Sequence, residues 1–381
     1  MGPIDFAERR SFSFPTQIRY GCGCIDELAG HLHSQGINRP LLVTDKNCAE
    51  LDFFRVISEQ LASQRLQCAV YTGVSANPIK SDVDRGVVFY EEHRCDAIVG
   101  IGGGASLDVA RIIALMVHHQ DFDLFHFEDG SGNETDVRNE IPYFVTIPST
   151  SGTGSEVGRS GVIIHPSTLE KKVIFAPQLM AKQVFVDPEL SLSLPPSITA
   201  ATGMDALTHS IEAYLAPTFH PLAQGIALEG IRLIGDALID ACQKPTIESR
   251  GKMAMAALMG AVAFQKGLGI VHALAHPLSS LCGLHHGLAN AIMLPHGVVF
   301  NRTVAAEKIR EVERVLDTGD LVSYLHATNT SIGIEGTLSS HGVQEELLEP
   351  LAKMARNDIS LATNPREASV DELVSLYRDA L

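Results

Sequence analysis

Along its first half the chain sets short apolar runs between longer amphipathic stretches: RPLLVTD at 39–45, LQCAVYTGV at 66–74, DAIVGIGGG at 96–104, YFVTIPST at 143–150 and KQVFVD at 182–187. Runs of this length, rich in Val and Ile and bounded by turn residues, predict strands. Their alternation with helical patterns predicts a parallel α/β sheet. After DPELSLSLPPS at 187–197 the pattern changes. From about Ile198 onward the apolar positions recur with the helical period, as in ATGMDALTHSIEAYLA and VDELVSLYRDAL, and no run reads as a strand. The fold class expected is an α/β N-terminal domain with a parallel sheet over residues 1–188 and an all-α C-terminal domain over 189–381.

A length of 381 residues agrees with two domains, since one domain takes roughly 100–200. With 29 basic against 45 acidic residues the formal charge is −16, which repels phosphate backbones and anionic lipid. Nucleic acid and membrane are therefore not expected as partners, and a small molecule is. The most lipid-like run, AMAALMGAVAF at 254–264, falls well short of the ~20 residues a membrane span needs, and MGPIDFAERRSF at the start has no apolar leader core. A cytoplasmic protein is expected. Seven cysteines, at 22, 24, 48, 68, 95, 242 and 282, are odd in number and scattered, which argues against a secreted disulfide framework. Cys22 and Cys24 form a CxC pair, but without partner cysteines nearby they read as buried or edge thiols.

AIVGIGGGASLDVARIIALM reads as strand, glycine turn and helix. Glycines let backbone N–H groups approach a phosphate, and a helix N-terminus adds partial positive charge, so a dinucleotide pyrophosphate is the natural guest. Gly100, Gly102 and Ala105 satisfy a G-x-G-x-x-A pattern, yet the acidic residue that pattern expects at a strand end about 20 residues on is absent, because HHQDFDLFHFED is no strand. Asp45, ending PLLVTD, is the alternative: a carboxylate there accepts ribose hydroxyls and repels the extra phosphate of NADP, or else it caps the following helix. TIPSTSGTGSEVG at 146–158 is a second hydroxyl- and glycine-rich loop after a strand, a ligand loop or an ordinary connection.

The histidines bring the chemistry. Five of sixteen lie in VHALAHPLSSLCGLHHGLANAIMLPH at 271–296. On a helix, residues four apart share a face, so Asp205 with His209, and His272 with His276, each present a pair of ligand-type side chains. With His285 and His286 there are enough N and O donors for one divalent cation. Spacing does not separate His285 from His286, and it offers His276 as a ligand equal to His272.

Assembled, these blocks resemble the iron-containing, or group III, alcohol dehydrogenase family. The likeness runs from GCGCIDEL through VTDK, the NP of SANP, GGGASLD, SGTGSEV, DPEL, DALTHSIEAY, HALAHPL and HHGLANAIMLPH to NPREASVDELVSLY. It implies metal ligands at Asp205, His209, His272 and His286, with His276 beside the nicotinamide as the candidate catalytic proton relay or a cofactor-positioning group. It implies cofactor contacts at Asp45, Asn77, Gly102, Gly103, Gly104, Ala105, Ser106, Asp108, Ser149, Thr150, Thr153, Ser160 and Lys172. The cofactors implied are NAD and a divalent metal, Fe2+ by the family's name, with Zn2+ also suited to one carboxylate and three imidazoles. The activity implied is hydride transfer between a small alcohol and NAD in an interdomain cleft, by a homodimer or larger homo-oligomer. Alternatives sharing the two-domain plan are a maleylacetate reductase or glycerol dehydrogenase-like enzyme, a 3-dehydroquinate synthase-like lyase, and a silent NAD- or metal-binding protein. The chain departs from the family's usual residues at Ala105, Arg111, Ser279, Ser280, Leu284 and His285, the last ones bearing on the substrate pocket, as does Cys282.

Overall fold

The computed structural model describes residues 14, 16–138 and 140–381. The chain separates into two compact units, one of residues 15–150 with 154–193 and one of residues 151–153 with 194–381.

In the first unit eight strands form: β1 (Gln17–Tyr20), β2 (Pro40–Val43), β3 (Ala69–Tyr71), β4 (Ala97–Gly102), β5 (Tyr143–Pro148), β6 (Ser160–Ile164), β7 (Lys171–Phe175) and β8 (Gln183–Val186). Its helices are α1 (Leu28–Ser34), α2 (Lys46–Ala49), α3 (Asp52–Ser63), α4 (Lys80–Glu92) and α5 (Gly104–Met116). Six strands make one all-parallel sheet in the order β1-β8-β5-β4-β2-β3. Every residue of β4 is buried, as a central strand of Ile, Val and small residues covered on both faces requires. All five expected strands are present. Missing from the expectation are β1, a polar and mostly exposed edge strand with no apolar run to announce it, and the antiparallel hairpin of β6 and β7, which pairs Val162 with Val173.

The second unit holds helices α6 (Pro196–Leu215), α7 (Pro221–Gln243), α8 (Ile247–Ala263), α9 (Ile270–Cys282), α10 (His286–Val315), α11 (Leu321–Ser331), α12 (Leu348–Arg356) and α13 (Val370–Asp379). Among its described residues no strand occurs, as the periodicity predicts. One core cluster runs from Ala200 to Ala380 and draws on α6 to α13. Two prolines interrupt its helices, Pro277 in α9 and Pro295 in α10. Pro295 has no N–H for the carbonyl of Ala291, four residues back, and Asn329 Nδ2 donates to that oxygen instead at 2.8 Å. At the end of α6 the side-chain nitrogens of Lys266 and Lys308 donate to the carbonyls of Ala213, Tyr214, Leu215 and Ala216, satisfying the last turn.

Candidate metal centre and nucleotide loops

Three helices deliver the polar cluster of the helical unit. α6 starts with Pro196 in its first turn, where a missing N–H costs nothing, and runs long enough to bury Asp205, His209 and Glu212 on one face. α9 brings His272 and His276, and α10 begins at His286 and brings Asn290 one turn later. The approach of α10 to α6 depends on Gly287: a Cβ there would stand 2.1 Å from the carbonyl oxygen of Ala201, one turn before Asp205. A residue without a side chain lets the first turn of α10, and with it His286, reach the carboxylate.

Around Asp205 Oδ1 stand His286 Nε2 at 3.5 Å, His272 Nε2 at 3.7 Å and His209 Nδ1 at 3.8 Å. The ligand atoms of Asp205, His272 and His286 all lie within 4.8 Å of one another, a grouping that does not include His209 or His276. His209 instead stacks on His272, ring centroids 4.4 Å apart, and its buried Nδ1 makes no hydrogen bond. A buried lone pair left without a donor costs about 1–3 kcal/mol, a cost that a cation beside Asp205 removes. The donor set of one carboxylate and three imidazoles therefore fits a divalent metal.

The electrostatics agree. Burial pushes the Asp205 carboxyl up, but His209, His286 and His272 outweigh it and hold it well below the ordinary carboxylate range. Burial brings His209 down to about 4, the neutral form a ligand needs. Burial also works against charge on His272, yet Asp205 and Glu212 at its two nitrogens push it up to about 9. A cation entering beside Asp205 displaces that proton, so binding releases protons.

Three residues escaped the sequence reading. Glu212 Oε2 lies 2.6 Å from His272 Nδ1. Asn290 Nδ2 donates to Asp205 Oδ1 at 2.7 Å and lies 3.4 and 3.3 Å from the Nε2 atoms of His272 and His286. Asp358 accepts from His276 Nδ1 at 2.7 Å, while the His276 ring stacks on His286 at 5.2 Å. Glu212 had a legible signal, being three and seven residues beyond His209 and Asp205 on the same face, and Asn290 lies one turn past His286. Asp358, 82 residues from His276, had none. Of the other histidines, His285 is exposed just ahead of α10.

In the sheet unit the chain order reverses between β2 and β4, and ligands of open α/β sheets bind at the carboxyl ends of strands flanking such a point. Asp45, just past β2, accepts from Cys48 N at 3.0 Å as the cap of α2, and its other oxygen accepts from Ser106 Oγ at 3.3 Å. Capping and a position beside the glycine turn are thus both realised. Gly102 has φ +139°, and a Cβ on it would stand 2.8 Å from Ser106 Oγ. Its carbonyl accepts from Ser149 N at 2.9 Å, and Gly103 packs on Thr150. Gly104 and Ala105 open α5, whose first turn carries no acidic side chain to oppose a phosphate. Asp45, Gly102, Gly103, Gly104, Ala105, Ser106, Ser149 and Thr150 are thus brought together. Asn77 sits in the loop after β3, folded by the buried Asp82, which accepts from Ser75 N and Ile79 N.

The remaining candidates are engaged elsewhere. Asp108 accepts from Arg111, Ser155 Oγ and Val162 N, and Arg111 also donates to the carbonyls of Ser155 and Ser160, tying α5 to the loop after β5. Lys172 pairs with Glu128 and Glu170, each at 3.1 Å. Thr153 belongs with the helical unit, where neighbouring Gly152 packs on Thr202.

Residues 15–188 match the family model described as iron-containing alcohol dehydrogenase, and residues 199–381 match that of the Fe-containing alcohol dehydrogenase family, C-terminal. The chain is 36% identical to a 4-hydroxybutyrate dehydrogenase of Cupriavidus necator, over 93% of this chain and 95% of that protein. It is 31% identical to an NAD-dependent methanol dehydrogenase of Bacillus methanolicus, over 97% and 100%. A solved structure of 1,3-propanediol oxidoreductase superposes with a TM-score of 0.91 at 30% identity, covering 98% of this chain and all of that one. Two family matches that together span nearly the whole described chain, with relatives similar from end to end, make this chain a member of the iron-containing alcohol dehydrogenase family, oxidoreductases that act on CH–OH groups with NAD and a divalent metal.

Proposed function

We propose that the chain interconverts a small primary alcohol and its aldehyde with NAD, using a divalent cation, iron before zinc, held by Asp205, His209, His272 and His286. The observation that carries this reading is the convergence of the buried Asp205 and His272 with the half-buried His286, ligand atoms within 4.8 Å of one another. The cation supplies Lewis acidity to the substrate oxygen and the dinucleotide accepts the hydride. Asp205 provides the negative charge that favours a cation over a proton, and Asn290 keeps its carboxylate aimed. At the sheet, the N–H groups opening α5 and the bare backbone of Gly102 to Gly104 hold the pyrophosphate, while Asp45 takes the ribose and disfavours NADP. His276 moves the proton; Asp358 holds its Nδ1, which leaves Nε2 to exchange it.

The relatives support a primary alcohol as the substrate class. 4-Hydroxybutyrate, methanol and 1,3-propanediol all carry a terminal CH2OH group. Among the described residues no single helix is long and apolar enough to cross a membrane; all seven cysteines are free, which suits the reducing compartment expected from the sequence, and a homo-oligomer is what the resemblance implies. Light scattering checks the assembly.

The test is metal analysis of anaerobically purified protein, coupled to assays of alcohols and aldehydes with NAD(H) and NADP(H). One divalent cation per chain is expected, with NADH formed one for one with aldehyde from primary alcohols. Full turnover after chelation, or phosphate release without net NADH, sinks the reading.

A further inference from the structure

Glu212 is almost wholly buried, and a carboxylate so placed persists only where donors meet its oxygens. Three do. Oε1 accepts from Val271 N at 2.7 Å, and Oε2 accepts from His272 Nδ1 at 2.6 Å and His272 N at 3.4 Å. Two of these are first-turn N–H groups of α9, which an acidic side chain is suited to satisfy. The third is a ring nitrogen, and it carries a chemical consequence. An ionised carboxylate only accepts, so Nδ1 must bear hydrogen and the neutral ring keeps its lone pair on Nε2. Nε2 is the nitrogen that faces Asp205 Oδ1 at 3.7 Å.

We propose that Glu212 is a positioning residue that fixes the tautomer and ring orientation of His272 for cation binding, an inference that rests on the metal-centre reading given above. Glu212 thereby ties two structural facts together, the start of α9 and the aim of its first histidine, with one side chain from α6.

The test is Glu212→Gln, which keeps shape and replaces one of the two acceptor oxygens with an NH2 donor. If the amide NH2 faces His272 it donates to Nδ1 and turns the lone pair away from Asp205. If the amide is reversed, its NH2 meets the Val271 N–H, a donor against a donor. Asn364→Ala is the control for helix capping alone, since Asn364 Oδ1 accepts from Ile270 N at 3.1 Å without touching the His272 ring. Metal-stripped wild type and both variants are titrated with Co2+, following the visible d–d band, and their melting temperatures are measured without metal. Glu212→Gln is expected to weaken Co2+ binding about 10–100-fold and to change the band, while Asn364→Ala lowers the melting temperature and leaves Co2+ affinity alone. Co2+ binding by Glu212→Gln as tight as wild type, with the same band, overturns the proposal and leaves Glu212 a helix cap. Failure of wild type to bind Co2+ overturns the metal-centre reading and this inference with it.

Discussion

The carboxyl end of the sheet and the histidine cluster are both polar places set in apolar surroundings, yet they are assembled in opposite ways. At the sheet the groups offered are mainly backbone N–H groups and short hydroxyls from near-consecutive residues, 102–106 and 149–150. In the helical unit they are side chains drawn from three helices, with Asp205, His272 and His276 held by partners far along the chain. A site of backbone tolerates side-chain change while its glycine geometry holds, and Ala105 in place of the family's usual serine is such a change. A site of side chains depends on its ligands and equally on the bare surfaces that let helices approach, Gly287 above all.

The sharpest way to break this comparison is His272→Ala. It should lower kcat/KM at least about 10³-fold and abolish cation binding, while calorimetry finds NAD affinity changed no more than about twofold. Persistence of NADH formation at full rate would mean that the two sites do not divide the labour as described.

Two buried carboxylates sharpen the contrast next. Asp205, ringed by imidazoles, sits far below the ordinary range, whereas Glu156 in the loop after β5 is pushed up by burial to about 7, its own backbone N–H and Arg111 only partly opposing. The folded chain therefore keeps the Glu156 proton that the unfolded chain loses near 4.5, so stability falls as pH rises from there and the loss is complete above about 7. Glu156→Gln should flatten that slope, recovering at most about 3 kcal/mol above neutrality in denaturant titrations run across pH. An unchanged slope would assign the acid-to-neutral dependence to other groups.

Gly287→Ala should cost about 1–3 kcal/mol of stability by overpacking against Ala201 and weaken cation binding, because His286 rides on the same turn. Ala105→Ser in the glycine loop is its counterpart and should stay within about 0.5 kcal/mol. Equal effects from the two would erase the distinction. Asp45→Asn keeps a capping oxygen and removes the charge; the ratio of kcat/KM for NADP over NAD should rise about tenfold, with no change in cation content.

Much of the architecture was legible because its signals are local. β2, β4, β5 and β8 announce themselves as apolar runs, and the ligand pairs Asp205 with His209 and His272 with His276 as helical spacing. Spacing alone could not divide His272 from His276, since both lie on one face of α9. What separates them is what their Nδ1 atoms meet, Glu212 in one case and Asp358 in the other, and those partners lie 60 and 82 residues away. β1 was invisible because an exposed edge strand need not be apolar, and the hairpin because its short runs flank a polar turn. Asp108, a cofactor contact by the resemblance, has oxygens that accept from Arg111, Ser155 and Val162, and the last two, 47 and 54 residues away, had no signal in the sequence.

The placement of Ser151–Thr153 bears on how this enzyme can be recombined. The two family models meet between residues 188 and 199, which invites exchange of halves with a relative at that single joint. Such a chimaera would bring a foreign tripeptide to pack on the native Thr202, where Gly152 leaves room for no side chain, a Cβ standing 2.8 Å from that of Thr202. The tripeptide is inherited with the first half but belongs by packing to the second, so a graft joined at that single point parts residues 151–153 from the helical unit they belong to.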